Sequence, residues 1–328
     1  LDERAVHAPL VVRTTAANLV RAPYEAAIRS YLGRANCHLR PCALAVDTTL
    51  CAGLACDARW MRHTYATMLA NQSVEVVVFD SATILRRWPN SGFADFGRRM
   101  YDDLHTRDEL GGVHLWFTKA TLRIRARASR GRWPCAHAGG LAPASVSDGA
   151  QIYLSYLIHE PSIVLVWEAL ARAGAGTRRP ARFLWVIEDD VEYLGAKPLS
   201  THLGELDARL GAADHAAIYE EHFTDCMPLF RPTWFQQQPV EGAANSKCGT
   251  LHKWEHVERY SGRLLSAVDR ALSRGHFAHG ELFSSTLCRT TEREWCGVRD
   301  LREVVDDNAF EGLRTGFKVH QSDPATQG

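Results

Sequence analysis

This sequence predicts an α/β fold with a mainly parallel sheet flanked by helices, folded as a single domain, and three observations predict it. Short apolar runs alternate with helical stretches along the chain. Several of those runs end on acidic residues. The clearest of them, Phe183–Ile187, is apolar without a break, as a strand covered on both faces must be. In a sheet of this kind the ligand crevice lies outside the carboxyl ends of the strands, so acidic strand ends gather in one place.

The elements follow in order. Pro23–Leu32 reads as a first helix, with proline in the first turn and Gly33 just past the end. Cys42–Val46 reads as a strand ending at Asp47, Thr48 and Thr49. Arg59–Asn71 is expected to be helical, and Val74–Phe79 is a strand ending at Asp80 and Ser81. A helix near Phe93–His105 precedes a third strand at Val113–Thr118. Lys119–Arg132 then carries six basic residues and no acidic one. Extended, it would set Arg123, Arg125 and Arg127 on one face to meet a phosphate or polyanion; otherwise it is a solvated loop. Ala136–Ala150, rich in Gly, Ala, Pro and Ser, is an irregular connection. Pro161–Ala173 is a helix begun by proline, stopped by Gly174 and apolar on most faces, hence buried against the sheet. After the strand at Phe183, a helix around Leu203–Leu210 leads to a strand at Ala216–Tyr219. Phe223–Ser246 is irregular, with aromatic and amide side chains that suit sugar recognition or ordinary packing. Ser261 is an N-cap for a helix with Leu264, Leu265, Val268 and Leu272 on one side and Gly275 as its stop.

The balance of 38 basic and 38 acidic residues argues against a nucleic-acid or membrane-surface protein as a whole. No apolar run approaches the roughly 18 residues a bilayer span needs; the longest, Ile163–Ala171, is interrupted by Glu168. A chain opening on Leu1 reads as a piece of a longer one, with room upstream for a signal or anchor. Nine cysteines include a loose cluster, Cys37, Cys42, Cys51 and Cys56, and a pair, Cys288 and Cys296, that brackets a short polar loop a disulfide could close. The cluster's spacing suits disulfides or free thiols better than structural zinc. Disulfides would imply an oxidising compartment, such as a secretory-pathway lumen. No Gly-x-Ser-x-Gly elbow is present for Ser-His-Asp hydrolysis.

The stretch FLWVIEDDVEYLG concentrates the chemistry. Side chains alternate along a strand, so Glu188 and Asp190 point one way and Asp189 the other. The pair can converge on one divalent cation, which could in turn hold a diphosphate. The alternative is a strand followed by a solvated acidic turn.

Three stretches in order, WVIEDDVEYLG, then YSGRLL followed by HGELFSSTLC, then FKVH, resemble a group of nucleotide-sugar transferase-like proteins of the GT-A type. The resemblance covers Phe183–His320 and implies a GT-A-like nucleotide-diphospho-sugar transferase fold. In it, about 40–195 would bind the sugar nucleotide and 196–328 would form the acceptor side. It implies that Asp190, Glu188 (directly or through water) and His320 bind Mn²⁺ or Mg²⁺ bridging the two phosphates of a nucleoside-diphosphate sugar. Asp189 would also face the donor, and Asp47 and Asp80 would contact the nucleotide base and ribose. Glu281 would take the proton of a hydroxyl acceptor, borne by a glycan, a protein or a small molecule, with His279 beside it; the transfer would then be inverting. The sequence departs from the pattern in beginning the triplet with Glu and in lacking a proline after the histidine of FKVH. Each residue also has a structural role open to it: Glu281 in the first turn of a helix, His279 orienting a neighbour, His320 on the surface, Asp80 ending its strand in a turn. The group's lumenal setting, the Golgi, follows as an expectation. Two other functions fit the same residues: a GT-A-like binding subunit with a dead site, and a metal-dependent phosphoryl or nucleotidyl transferase.

Overall fold

The computed structural model describes residues 8–19, 28–29, 31–37, 40–48, 74–91, 158–173, 181–189, 191–193, 195, 197–220, 251–278, 280–304 and 317–319. The predicted strand at 113–118, the helices at 59–71 and 93–105, the basic run at 119–132 and the irregular stretches at 136–150 and 223–246 lie outside them, as do Asp190, His279 and His320.

The first strand, β1 (Leu10–Thr15), is not among those expected from the sequence, yet it is central. It pairs in parallel with β2 (Cys42–Asp47), which pairs in parallel with β3 (Val74–Phe79). A four-residue helix, α1 (Ala16–Leu19), follows β1, and residues 31–34 are helical, one past the predicted stop at Gly33. Asp80 starts α2 (Ser81–Arg87), accepting from the Thr83 amide and hydroxyl, both at 2.6 Å. The long helix α3 (His159–Ala173) begins two residues before the predicted Pro161 and lies against the sheet. It is followed by β4 (Phe183–Glu188), parallel to β1, and the short β5 (Val191–Tyr193).

Helix α4 (Leu199–Leu210) buries Leu199, Leu203, Leu206 and Leu210, one stripe at helical spacing, and ends at Gly211 with φ of 53°. Then come β6 (His215–Glu220) and β7 (His252–Ser261), the second also not foreseen. Helix α5 (Gly262–Ser273) matches its prediction closely. Ser261 Oγ accepts from the Leu264 amide at 3.0 Å, and Leu264, Leu265, Val268 and Leu272 are buried. Gly275 follows with φ of 87°, where a Cβ would also lie 2.8 Å from the Asn90 carbonyl oxygen. The chain closes with α6 (Phe283–Arg289), β8 (Val298–Asp300), a 3₁₀ turn at Leu301–Glu303 and β9 (Phe317–Val319).

The seven-stranded sheet runs β3-β2-β1-β4-β7-β6-β8, with β7 antiparallel to β4 and β6 and every other pair parallel; β5 and β9 form a separate antiparallel pair. This is the predicted α/β class, and one sheet continues across the point near residue 195 that separates the two expected halves. On one face Val11, Ala43, Leu184, Val186 and Tyr260 pack with side chains of α3, α5 and α6. On the other, Val12, Leu44, Trp185 and Ile187 pack with α4 and the helical residues near Tyr31. Among the described residues, Cys37–Cys42 and the expected Cys288–Cys296 are disulfides. No described helix is long and apolar enough to cross a membrane.

Candidate functional site

The strand order reverses at β1: the chain leaves it towards β2 and β3 on one side and returns on the other as β4. A doubly wound sheet opens its crevice at such a switch point, outside the carboxyl ends of the strands. Here those ends are Thr14 and Thr15 of β1, Asp47 of β2, level with Thr15, and Glu188 of β4 with Asp189 just past it.

The two described carboxylates of the triplet turn to opposite faces, as strand alternation requires. Asp189 is buried; its amide donates to the Arg13 carbonyl at 3.0 Å and its Oδ2 accepts from Thr14 Oγ1. Glu188 turns to the α3 face. Arg13 Nη1 donates to both its oxygens, at 3.0 and 3.2 Å, and His159 Nδ1 lies 3.1 Å from Oε1. Burial pushes the Glu188 carboxyl up, but Arg13 and His159 outweigh it and hold the group below the usual carboxylate range.

His159, the first residue of α3, reaches β7 with its other nitrogen: Nε2 is 2.6 Å from Glu258 Oε2. Glu258 also accepts from Lys253 Nζ and the Tyr260 hydroxyl, and Lys253 Nζ stands 3.2 Å from Glu160. Ser284 Oγ of α6 donates to Glu160 at 3.1 Å. His159, Glu160, Lys253 and Glu258 are all fully shielded from solvent. Burial opposes the charge on Glu258, yet Lys253 and His159 draw its carboxyl well below its ordinary value. The nearby His215 is also pushed down, in its case mainly by burial, and its Nδ1 lies 2.5 Å from the Tyr219 hydroxyl.

Of the other predicted site residues, Asp47 is buried at the end of β2, on the switch-point edge. Asp80, expected to contact the nucleotide or else to end its strand in a turn, serves as the N-cap of α2. Glu281 is half-buried, one residue ahead of Leu282, the N-cap of α6, and so not inside its first turn. Its carbonyl accepts from the Lys253 amide at 2.8 Å. Because β7 runs antiparallel to β4, its amino end, and Glu281 with it, lies on the same sheet edge as the carboxyl end of β4. The structure therefore brings Asp47, Glu188, Asp189 and Glu281 to one edge. Among the described residues, no three or more His, Cys, Asp or Glu side chains cluster to hold a metal ion.

Arg13, His159, Glu160, Lys253 and Glu258 are absent from the sequence-derived site. The signals were faint: an Arg inside an apolar run, a His-Glu pair just before the proline of a helix, and alternating charge in HKWEHVERYS.

No family model and no curated protein matches the chain. Among solved structures it is distantly similar to the apo crystal structure of mouse xyloside xylosyltransferase 1. Identity is 13%, the match covers 90% of this chain and 86% of that one, and the TM-score is 0.35, too low to carry chemistry across. The architecture itself, a mostly parallel mixed sheet between helices, is an α/β fold.

Proposed function

We propose that the protein is a metal-dependent glycosyltransferase of the GT-A type that moves a sugar from a nucleoside-diphosphate donor to a hydroxyl acceptor with inversion. The observation that carries this reading is the β5–β9 ladder, in which Val191 pairs with Val319. Asp190 precedes Val191 in the chain and His320 follows Val319. The strand after the acidic triplet is thus tied to the C-terminal segment, as a shared site requires. The switch point supports the same reading, because Asp189 and Asp47 line the edge where a sheet of this order takes its ligand.

The donor set suits a hard cation: carboxylate oxygens at a strand end with one imidazole. Asp190 and His320 would hold Mn²⁺ or Mg²⁺, which when bound would offset the charge of the departing diphosphate. Asp189 faces the donor, and Asp47 contacts its nucleoside. Glu281 accepts the proton of the acceptor hydroxyl, with His279 orienting the acceptor; attack opposite the leaving group inverts the anomeric carbon. The two disulfides fit an oxidising lumen of the secretory pathway.

Thermal unfolding against a panel of sugar nucleotides with Mn²⁺ tests the reading. Binding at a hundredfold excess over Kd stabilises by about 2.7 kcal/mol, a shift of several degrees. The shift should vanish in Asp190→Ala. Equal shifts in parent and variant, or none with any donor, would remove the transferase and leave a binding subunit, the role favoured by a Glu188 already engaged by two basic side chains.

A further inference from the structure

We infer that Glu188 is a positioning residue: with Arg13 and His159 it locks the carboxyl end of β4 to β1 and β7, so that Asp189 is held at the switch point, and it is not itself a ligand of the cation. The metal arm of this inference rests on the proposed transferase; the positioning itself rests only on described residues.

Three observations carry it. Glu188 and Asp189 face opposite sides of the sheet, Glu188 to Arg13 and Asp189 to Thr14, so these two carboxylates do not converge on one ion. A divalent ion on the Glu188 oxygens would stand against the Arg13 guanidinium, which lies 3.0 Å from Oε1 and 3.2 Å from Oε2. Finally, the contacts join the elements that form the edge. Arg13 belongs to β1, Glu188 to β4 and Glu258 to β7, and from the start of α3 His159 stands between the two glutamates, its Nε2 hydrogen-bonded to Glu258 at 2.6 Å and its Nδ1 3.1 Å from Glu188 as a charge contact. Ser162, one turn on, accepts from Arg13 Nε at 3.2 Å and donates to the His159 carbonyl at 2.6 Å, closing the ring of contacts. A ligating carboxylate needs free lone pairs towards the ion. This one is turned into a part-buried, charge-matched junction between strands.

The test uses the full chain with R13M, E188Q and H159Q, and two readouts. The first is amide hydrogen exchange of Asp189, whose N–H donates to the Arg13 carbonyl at 3.0 Å. The second is Mn²⁺ affinity by direct titration. Each variant should speed Asp189 exchange at least about tenfold and weaken Mn²⁺ by about three- to tenfold, and the E188Q/H159Q pair should lose less than the product of its parts. Loss of Mn²⁺ binding beyond about a hundredfold in E188Q alone, with R13M and H159Q unchanged, would make Glu188 a ligand and overturn the inference. So would parental exchange in R13M and H159Q. Should H159Q not fold, S162A removes only the hydroxyl bridging Arg13 and His159; exchange about two- to threefold faster is expected, and no change counts against it. A parent protein that binds no Mn²⁺ would end the transferase reading, while the exchange readout still decides the positioning.

Discussion

Glu258 and Arg259 are consecutive residues of β7, both fully buried, and the fold neutralises them in different ways. Glu258 points to the α3 face, where Lys253, the Tyr260 hydroxyl and His159 supply its partners from β7 itself and a helix start. Arg259 points to the α4 face. Its Nη1 donates to Asp207 at 3.1 Å, and its Nη2 donates to the carbonyls of Gly211 and Ala213, at 3.1 and 2.9 Å, just past the end of α4. The guanidinium carbon also sits 3.9 Å from the centre of the Phe183 ring. One charge belongs to a network of ionised side chains; the other is absorbed by helix-end carbonyls, a ring and one carboxylate. A buried charge that depends on other charges should be the harder to remove, because its loss leaves them unmatched.

The largest effect should come from Glu258→Ala, which takes the shared carboxylate from Lys253 and His159, leaving them with Glu160 and Glu188, and should cost about 3–5 kcal/mol in urea unfolding. Arg259→Met should cost less, about 2 kcal/mol, because the carbonyls are left near water at a helix end and Asp207 keeps the Trp185 Nε1 donor at 3.1 Å. Equal losses at the two positions would erase the distinction. Ser261→Ala, at the end of the same strand, offers a neutral control: it removes a cap and a 2.8 Å bond to Asp214 and should cost about 1 kcal/mol.

Acid titration sharpens the contrast. Glu258 and Glu188 are held below their ordinary values, so the stability they contribute is present above the unfolded carboxylate range and is lost as pH falls through their folded values. Asp207 goes the opposite way, raised chiefly by burial although Arg259 pulls it down. Its ionisation costs the fold, and protonating it as pH falls returns that cost. Asp207→Asn should therefore steepen the loss of urea stability between neutral pH and the carboxylate range, and an unchanged slope would contradict the assignment.

The same contrast explains what the sequence could disclose. Strand β4 and helix α5 are legible because Phe183–Ile187 is unbroken and α5 carries its own cap, stripe and stop within a dozen residues. Strands β1 and β7 are not, because Arg13, Lys253, Glu258 and Arg259 break every apolar pattern. Arg13 finds Glu188 175 residues away, a partner no local window contains. The opposed faces of Glu188 and Asp189 follow from alternation alone. What occupies each face does not, nor does the use of Asp80 as a cap, since an acid after a strand serves a ligand or a helix equally well.

Strand β9 lies outside the seven-stranded sheet and pairs with β5. A shortened protein ending near Val304 should consequently remain folded while leaving β5 without its neighbour. On the proposed transferase reading, a cut between Val304 and Phe317 would cost activity before it cost stability.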